Sequence, residues 1–459
     1  MASIRKRRGG FAVVYYYTNE HNEKKQRWEQ YESYAEAHKR CAEIEYQQGR
    51  KSFVSPSKQT VSEFMKDFVS LYGERKWGHT FYERSKSLIS NYINPLIGDE
   101  IIQDISPRSV DLFIQRLQKT APVECGGRKA NSKYLTPASI EKIVKLTSCA
   151  FKQAVRWELI PKNPFEGAIL PKVERVERAI WTAETISKAL EECTDAKLYL
   201  AMNLAFACSL RLGEILGLMW ENVHITDEDI VADNAYLDVD KELTRISKNS
   251  LEALGDTGVI KIFPIVMANS TQTRLVLKVP KTESSKRRVW LPKTLAYALR
   301  DWQAAQIKQK EMLGDEYIDY NLVVAQPNGR PCEEKLINNE FKRLKQKAGL
   351  PNVVFHSLRH SSTTYKLKLN HGDIKATQGD TGHAQADMVT RVYSHILDED
   401  RKVNAQKFEA AFYSNPDLRG VRPPEAPAGA LDIGLLIKQL QQSPELASAL
   451  AELIGTKSN

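Results

Sequence analysis

The chain has 459 residues, 42% of them hydrophobic, and carries a formal net charge of +9. The length exceeds one ordinary core, so about two to four domains are expected, and the basic excess favours a polyanionic partner such as nucleic acid. No run approaches the ~18 apolar residues of a membrane span, and nothing behind the basic MASIRKRR start is apolar enough for a signal peptide, so neither a transmembrane helix nor a signal peptide is expected. Six scattered cysteines show no pairing spacing, so they are read as reduced thiols of a cytosolic-type compartment.

Residues 1–55 are expected to form a small basic module. Arg5, Lys6, Arg7 and Arg8 are consecutive, and Gly9-Gly10 follows. FAVVYYY (11–17) reads as a strand, and a second short strand is expected near 26–30. A helix over 33–48 has Ala35, Ala37, Cys41 and Ile44 as its apolar positions. Basic residues beside exposed aromatics suit phosphate contact; a solvated tail is the alternative.

Residues 56–170 read as a helical module. Apolar residues at 61, 64, 65, 68 and 71 make a helical stripe. A second helix is expected over 80–94, stopped by Pro95, and a third from Pro107 to Leu117. Thr136-Pro137 is a strong start for a fourth, running to about Trp157, because Thr caps and Pro suits the first turn. Four such helices make a compact bundle. Arg128, Lys129 and Lys133 in the intervening loop are candidate DNA contacts, or simply solvated. Residues 171–180 look like a linker.

Chemistry concentrates in 181–413. Thr182 caps a helix, and an apolar helix over 198–210 leads into SLRLGEILGL, where Arg211 and Glu214 are expected to share one helical face. An arginine at the edge of a core needs a reason, such as an anion to hold. Strands are expected in AYLDVDKEL, VIKIFPIV and TRLVLKV, with 246–260 as a loop or insertion. Lys281 sits in PKTESSKRR, a hairpin returning as RRVWLP. Helices follow near 292–312, 334–348 and 357–369. In HSLRH, His356 and Arg359 lie three apart; His383 follows the Gly-Asp-Thr-Gly turn, and Tyr393 comes ten residues later. His356 and His360 also form an HxxxH, but it lacks the glutamate of HExxH and Arg359 would repel a cation, so a metal site is set aside. The segment 414–459 is expected to be a Pro-containing spacer with a helical tail, its last apolar stripe being Leu446, Leu450, Leu453 and Ile454.

Four segments now stand in a definite order: Arg211 in SLRLGE, Lys281 in PKTESSKRR, His356 and Arg359 in HSLRH, and His383 followed by Tyr393 in VYSH. This order resembles the tyrosine recombinase (phage integrase) family, over residues 180 to about 410. The resemblance implies a multidomain α+β chain with a small sheet-and-helix arm-site module, a four-helix core-site domain, a mainly α catalytic domain with a small antiparallel sheet, and a helical tail. It implies an integrase of a temperate phage or conjugative transposon, acting in the cytoplasm of a bacterial host on double-stranded DNA as a synaptic tetramer. A directionality factor or DNA-bending protein is a further implied partner. Tyr393 is then the nucleophile, with Arg211, Lys281, His356, Arg359 and His383 as catalytic partners and Glu214 as an orienting residue; no metal and no nucleotide cofactor is implied. Two departures stand out. Cys208-Ser209 replaces the Thr-Gly often found before the first arginine, and 222–275 is longer than the family minimum. Type IB topoisomerase-like relaxation, and a DNA-binding regulator without catalysis, are the competing functions.

Overall fold

The computed structural model describes residues 2–18, 23–49, 54, 56–124, 132–173, 180–265, 272–280, 282–370 and 372–382. The tail reading (414–459) therefore lies outside the described residues. Mixed helix and small antiparallel sheets make up three hydrophobic cores in chain order.

The first core is built on a meander of β1 (Ser3–Arg7), β2 (Gly10–Thr18) and β3 (Lys24–Tyr31), covered by α1 (Tyr34–Gly49). Val13 and Tyr15 meet Ala37 and Ile44, with Ile4 and Phe11 packed against them. Ala35 is exposed, so that expected apolar position lies off the core. β1 was not foreseen: the basic run is a strand plus a two-residue turn, with Arg7 paired to Gly10. Gly9 takes φ +95°, a turn geometry that glycine tolerates best. Strand alternation puts Ile4 on the core side, while Arg5 and Arg7 share the open face. Their guanidinium carbons lie 5.3 and 4.4 Å from the Trp28 ring centroid.

The second core joins α2 (Val61–Asp67), α3 (Glu74–Lys76), α4 (His79–Leu88), α5 (Asn94–Ile97), α6 (Pro107–Gln118) and α7 (Pro137–Arg156). Thr60 and Glu63 close a capping box at the start of α2, and Thr136 caps α7. Pro95 does not stop its helix. A π-helical turn over Ile89–Ile93 precedes it, with the Asn94 amide bonded to the Ile89 carbonyl, and the proline falls in the first turn of α5, where its missing N–H is tolerated. Phe64, Phe68, Phe113, Phe151 and Phe165 fill the interior.

The third core contains α8 (Ala183–Glu191), α9 (Ala196–Ala207) and α10 (Leu212–Leu216), then β4 (Val223–His224), α11 (Asp227–Val231) and β5 (Tyr236–Val239). β6 (Glu242–Ser247), α12 (Lys248–Leu254), β7 (Val259–Ile262), β8 (Thr273–Lys278) and β9 (Arg287–Trp290) follow. The last helices are α13 (Lys293–Leu313), α14 (Glu334–Lys347), α15 (His356–Leu369) and α16 (Ile374–Thr381). Two three-stranded antiparallel sheets run in the orders β4-β5-β9 and β6-β8-β7.

Three expectations need correction here. AYLDVDKEL is two strands, β5 and β6, which join different sheets. The apolar helix ends at Ala207, because Ser209 turns left-handed at φ +53°. The expected loop over 246–260 contains the end of β6 and α12, which starts at a Ser247 cap. α12 packs against α4, and the His79 ring Nε2 lies 3.0 Å from the Gly255 carbonyl. Among the described residues, no helix is long and apolar enough to cross a membrane.

Candidate active site

The site is assembled where α9 ends, α10 and α15 begin, and β9 passes α16. α15 packs on α9, joined by the Ser209 and Ser362 hydroxyls at 2.6 Å. α10 lies against β6 so closely that a Cβ on Gly217 would meet the Leu243 amide nitrogen at 2.7 Å. Only glycine permits that approach.

Arg211 is the N-cap of α10 rather than a residue within it. An i,i+3 contact with Glu214 forms all the same. The Glu214 carboxylate accepts the Arg211 backbone N–H at 2.9 Å and its Nη1 at 2.6 Å. The same carboxylate accepts Nη2 of Arg287 at 3.1 Å. Glu214 is 2% exposed. Burial alone would raise its pKa, but the charges of Arg287 and Arg211 outweigh that and hold the carboxyl below its usual range.

Arg359, on the first turn of α15, is 1% exposed. Its Nη1 donates to the Ser209 carbonyl and its Nη2 to the Thr381 carbonyl at 2.6 Å. The left-handed turn at Ser209 therefore aims a carbonyl at the arginine. Burial, reinforced by the charge of Arg211, pushes the Arg359 guanidinium well below its ordinary pKa, with Glu214 opposing in part. The charge is thus held at a cost that an anion would offset. Three guanidiniums gather around the single carboxylate of Glu214, a strongly anion-attracting arrangement.

His356 is exposed at the start of α15, and its ring meets that of His360 edge-on at 4.7 Å. Among the described residues, no group of three His, Cys, Asp or Glu is arranged to hold a metal ion. Lys281, His383 and Tyr393 lie outside the described residues, as do Arg128 and Lys129. β8 and β9 flank the segment that carries Lys281 but join different sheets, so they do not pair as the expected hairpin, and Gly382 (φ +64°) caps α16 immediately before His383. Of the proposed DNA contacts, Arg5, Lys6, Arg7, Arg8 and Lys133 are exposed. They stand apart from the arginine cluster, the first four in the first core and Lys133 just before α7.

Arg287 was not singled out from the sequence. Its signal is strand alternation: Arg287 and Val289 point inward on β9, whereas Arg288 and Trp290 are exposed.

Residues 261–400 match the family model described as Phage integrase family. That match spans α15, with His356 and Arg359, and the positions of Lys281, His383 and Tyr393. This match supports a tyrosine recombinase. The chain is 22% identical over 342 residues to the ICEBs1 integrase of Bacillus subtilis (strain 168), covering 72% of this chain and 77% of that one. It is 26% identical over 265 residues to a XerC-like tyrosine recombinase of Caldanaerobacter subterraneus, covering 56% of this chain and 61% of the relative. In fold it is similar to the Tn1549 transposon integrase solved in complex with a circular intermediate DNA, with a TM-score of 0.56 and 16% identity, over 76% of this chain and 99% of that chain.

Proposed function

We propose that this recombinase integrates and excises a mobile element by cutting and rejoining double-stranded DNA through Tyr393. The observation that carries the reading is the guanidinium cluster: Arg359, buried and anchored by two carbonyls, and half-buried Arg211 held on Glu214. Guanidinium forks match the non-bridging oxygens of a phosphodiester and stay charged as the pentacoordinate transition state forms. Tyr393 Oη attacks phosphorus; the Oη–P bond forms and the P–O5′ bond breaks. His356 takes the phenolic proton, Lys281 gives one to the leaving 5′-oxygen, and His383 hydrogen-bonds the phosphate. The 3′-phosphotyrosyl link conserves the bond energy, so a 5′-hydroxyl from a second duplex reverses the step without ATP.

The remaining parts have roles in the same reading. The open face of the first sheet, with Arg5 and Arg7 over Trp28, suits arm-site phosphates, Lys6 and Arg8 adding charge along the run. The helices of 61–156, six in place of the four expected, grip the core site, with Arg128, Lys129 and Lys133 in their loop. The 414–459 segment docks on a neighbouring protomer in a tetramer, in the host cytoplasm, with a directionality or bending factor as accessory partner.

The test is a plasmid bearing the element's two attachment sites, incubated with the protein without metal or ATP. Recombinant circles are the expected product. Relaxation without recombinants would establish the topoisomerase alternative, and binding without either product the silent regulator. Lys281→Ala is expected to slow cleavage by about 10²–10⁴-fold on ordinary DNA. A bridging sulfur at the 5′ position leaves without an acid, so that substrate should recover most of the rate. No recovery would remove Lys281 as the acid.

A further inference from the structure

Arg287 commits all three of its guanidinium nitrogens to protein acceptors. Nε donates to the Asp380 carbonyl at 3.1 Å, Nη1 to the Ser285 carbonyl at 3.0 Å, and Nη2 to Glu214 Oε2 at 3.1 Å. These acceptors belong to three segments that each carry one proposed active-site residue. Ser285 lies four residues beyond Lys281, Glu214 holds Arg211, and Asp380 precedes the Gly382-His383 step.

The end of α16 shows why an arginine is needed there. A helix terminus leaves its last carbonyls without intrahelical partners, and its partial negative charge favours cations. In α16 two successive carbonyls are taken by arginines, Asp380 by Arg287 and Thr381 by Arg359. The chain then turns left-handed at Gly382, where a Cβ would come within 3.0 Å of Arg287 Cδ and Nη1. The turn is thus seated directly on the Arg287 side chain.

We propose that Arg287 is a positioning residue, a buried strut that fixes the Ser285 end of the segment after Lys281, the Glu214–Arg211 pair and the Gly382 turn relative to one another. Its side chain is only 6% exposed and three of its five N–H groups donate to protein acceptors, so it is assigned a role through these contacts rather than on DNA. The inference rests on the phosphotyrosine reading above.

The experiment measures single-turnover adduct formation on a nicked junction DNA, together with Kd for that DNA and Tm. It compares wild type, Arg287→Met, Arg287→Lys and Tyr393→Phe. Arg287→Met is expected to keep Kd within a few-fold and lose about 100-fold in rate, the scale of a small misplacement of reacting groups. A pH profile separates positioning from general damage. Glu214 is faced by Arg211 at the start of α10, by Arg287 on β9 and, through its charge, by Arg359 on α15. Removing Arg287 takes away one of the cations that hold its carboxyl low, so the acid limb of the cleavage profile should move to higher pH. Arg287→Lys keeps the charge without the fork; it should leave the limb in place and recover part of the rate, and it serves as the folded variant if the methionine protein melts too low. A folded Arg287→Met that cleaves at the wild-type rate beside an inert Tyr393→Phe would overturn the inference alone. So would a rate loss with an unmoved acid limb, or one matched by an equal loss of Kd. Absence of an adduct in wild type would remove the phosphotyrosine reading and this inference with it.

Discussion

Arg359→Ala is expected to lower adduct formation by about 10³-fold or more while weakening DNA binding far less. The side chain is buried and oriented by the Ser209 and Thr381 carbonyls, so its guanidinium is held in a preorganised position. Nonspecific affinity comes from many exposed basic residues, whereas this guanidinium acts where charge develops during the reaction. Truncation also leaves two buried carbonyls without that donor. Arg359→Lys should cost about 10²-fold, because one ammonium cannot reproduce a planar fork spanning two carbonyls and a phosphate. The check is single-turnover cleavage at saturating protein, with Kd from a separate binding measurement. A rate loss no larger than the binding loss would place Arg359 in binding rather than in chemistry.

Tyr393→Phe is expected to abolish the covalent adduct and leave DNA binding unchanged within about two-fold. Removing one phenolic oxygen removes the atom that bonds phosphorus, and no amount of charge from the arginines substitutes for it. Tyr365, a tyrosine on α15, has its hydroxyl accepting the Ala183 amide at 2.8 Å and is tied into the packing of α8. Residual adduct at more than a trace would mean that another side chain attacks.

The helix starts were legible because capping chemistry is local. Thr136-Pro137 and Thr182 mark their helices wherever the rest of the chain goes. Arg211 stood out because it follows an apolar helix, and Arg359 through its place in HSLRH and the family resemblance; the structure brings both near Glu214. The Arg211–Glu214 contact survived even though its helical premise failed, because an N-cap and its third helical residue meet much as i,i+3 neighbours do. β1 was hidden since the basic run Arg5 to Arg8 continues unbroken across both faces of the strand, which masks a period of two. The split of 235–243 between two sheets, and α12 within a presumed loop, depend on tertiary pairing that local propensity does not encode. Arg287 was missed because an arginine on a short strand reads as solvent-facing; only the positions of Glu214 and α16 turn it inward. Pro95 misled in the other direction, since a π-helical turn lets a helix pass a proline.

The most direct test of the account is to find where the DNA is attached. A nicked junction DNA incubated with wild-type protein, without metal or ATP, traps the adduct; trypsin and nuclease digestion then leave a nucleotide on one peptide. Cleavage after Arg391 and Arg401 places Tyr393 on the peptide of residues 392–401, VYSHILDEDR. The account predicts a phosphotyrosyl nucleotide on that peptide. A nucleotide on any other peptide, or none on a protein that binds the junction tightly, would contradict it.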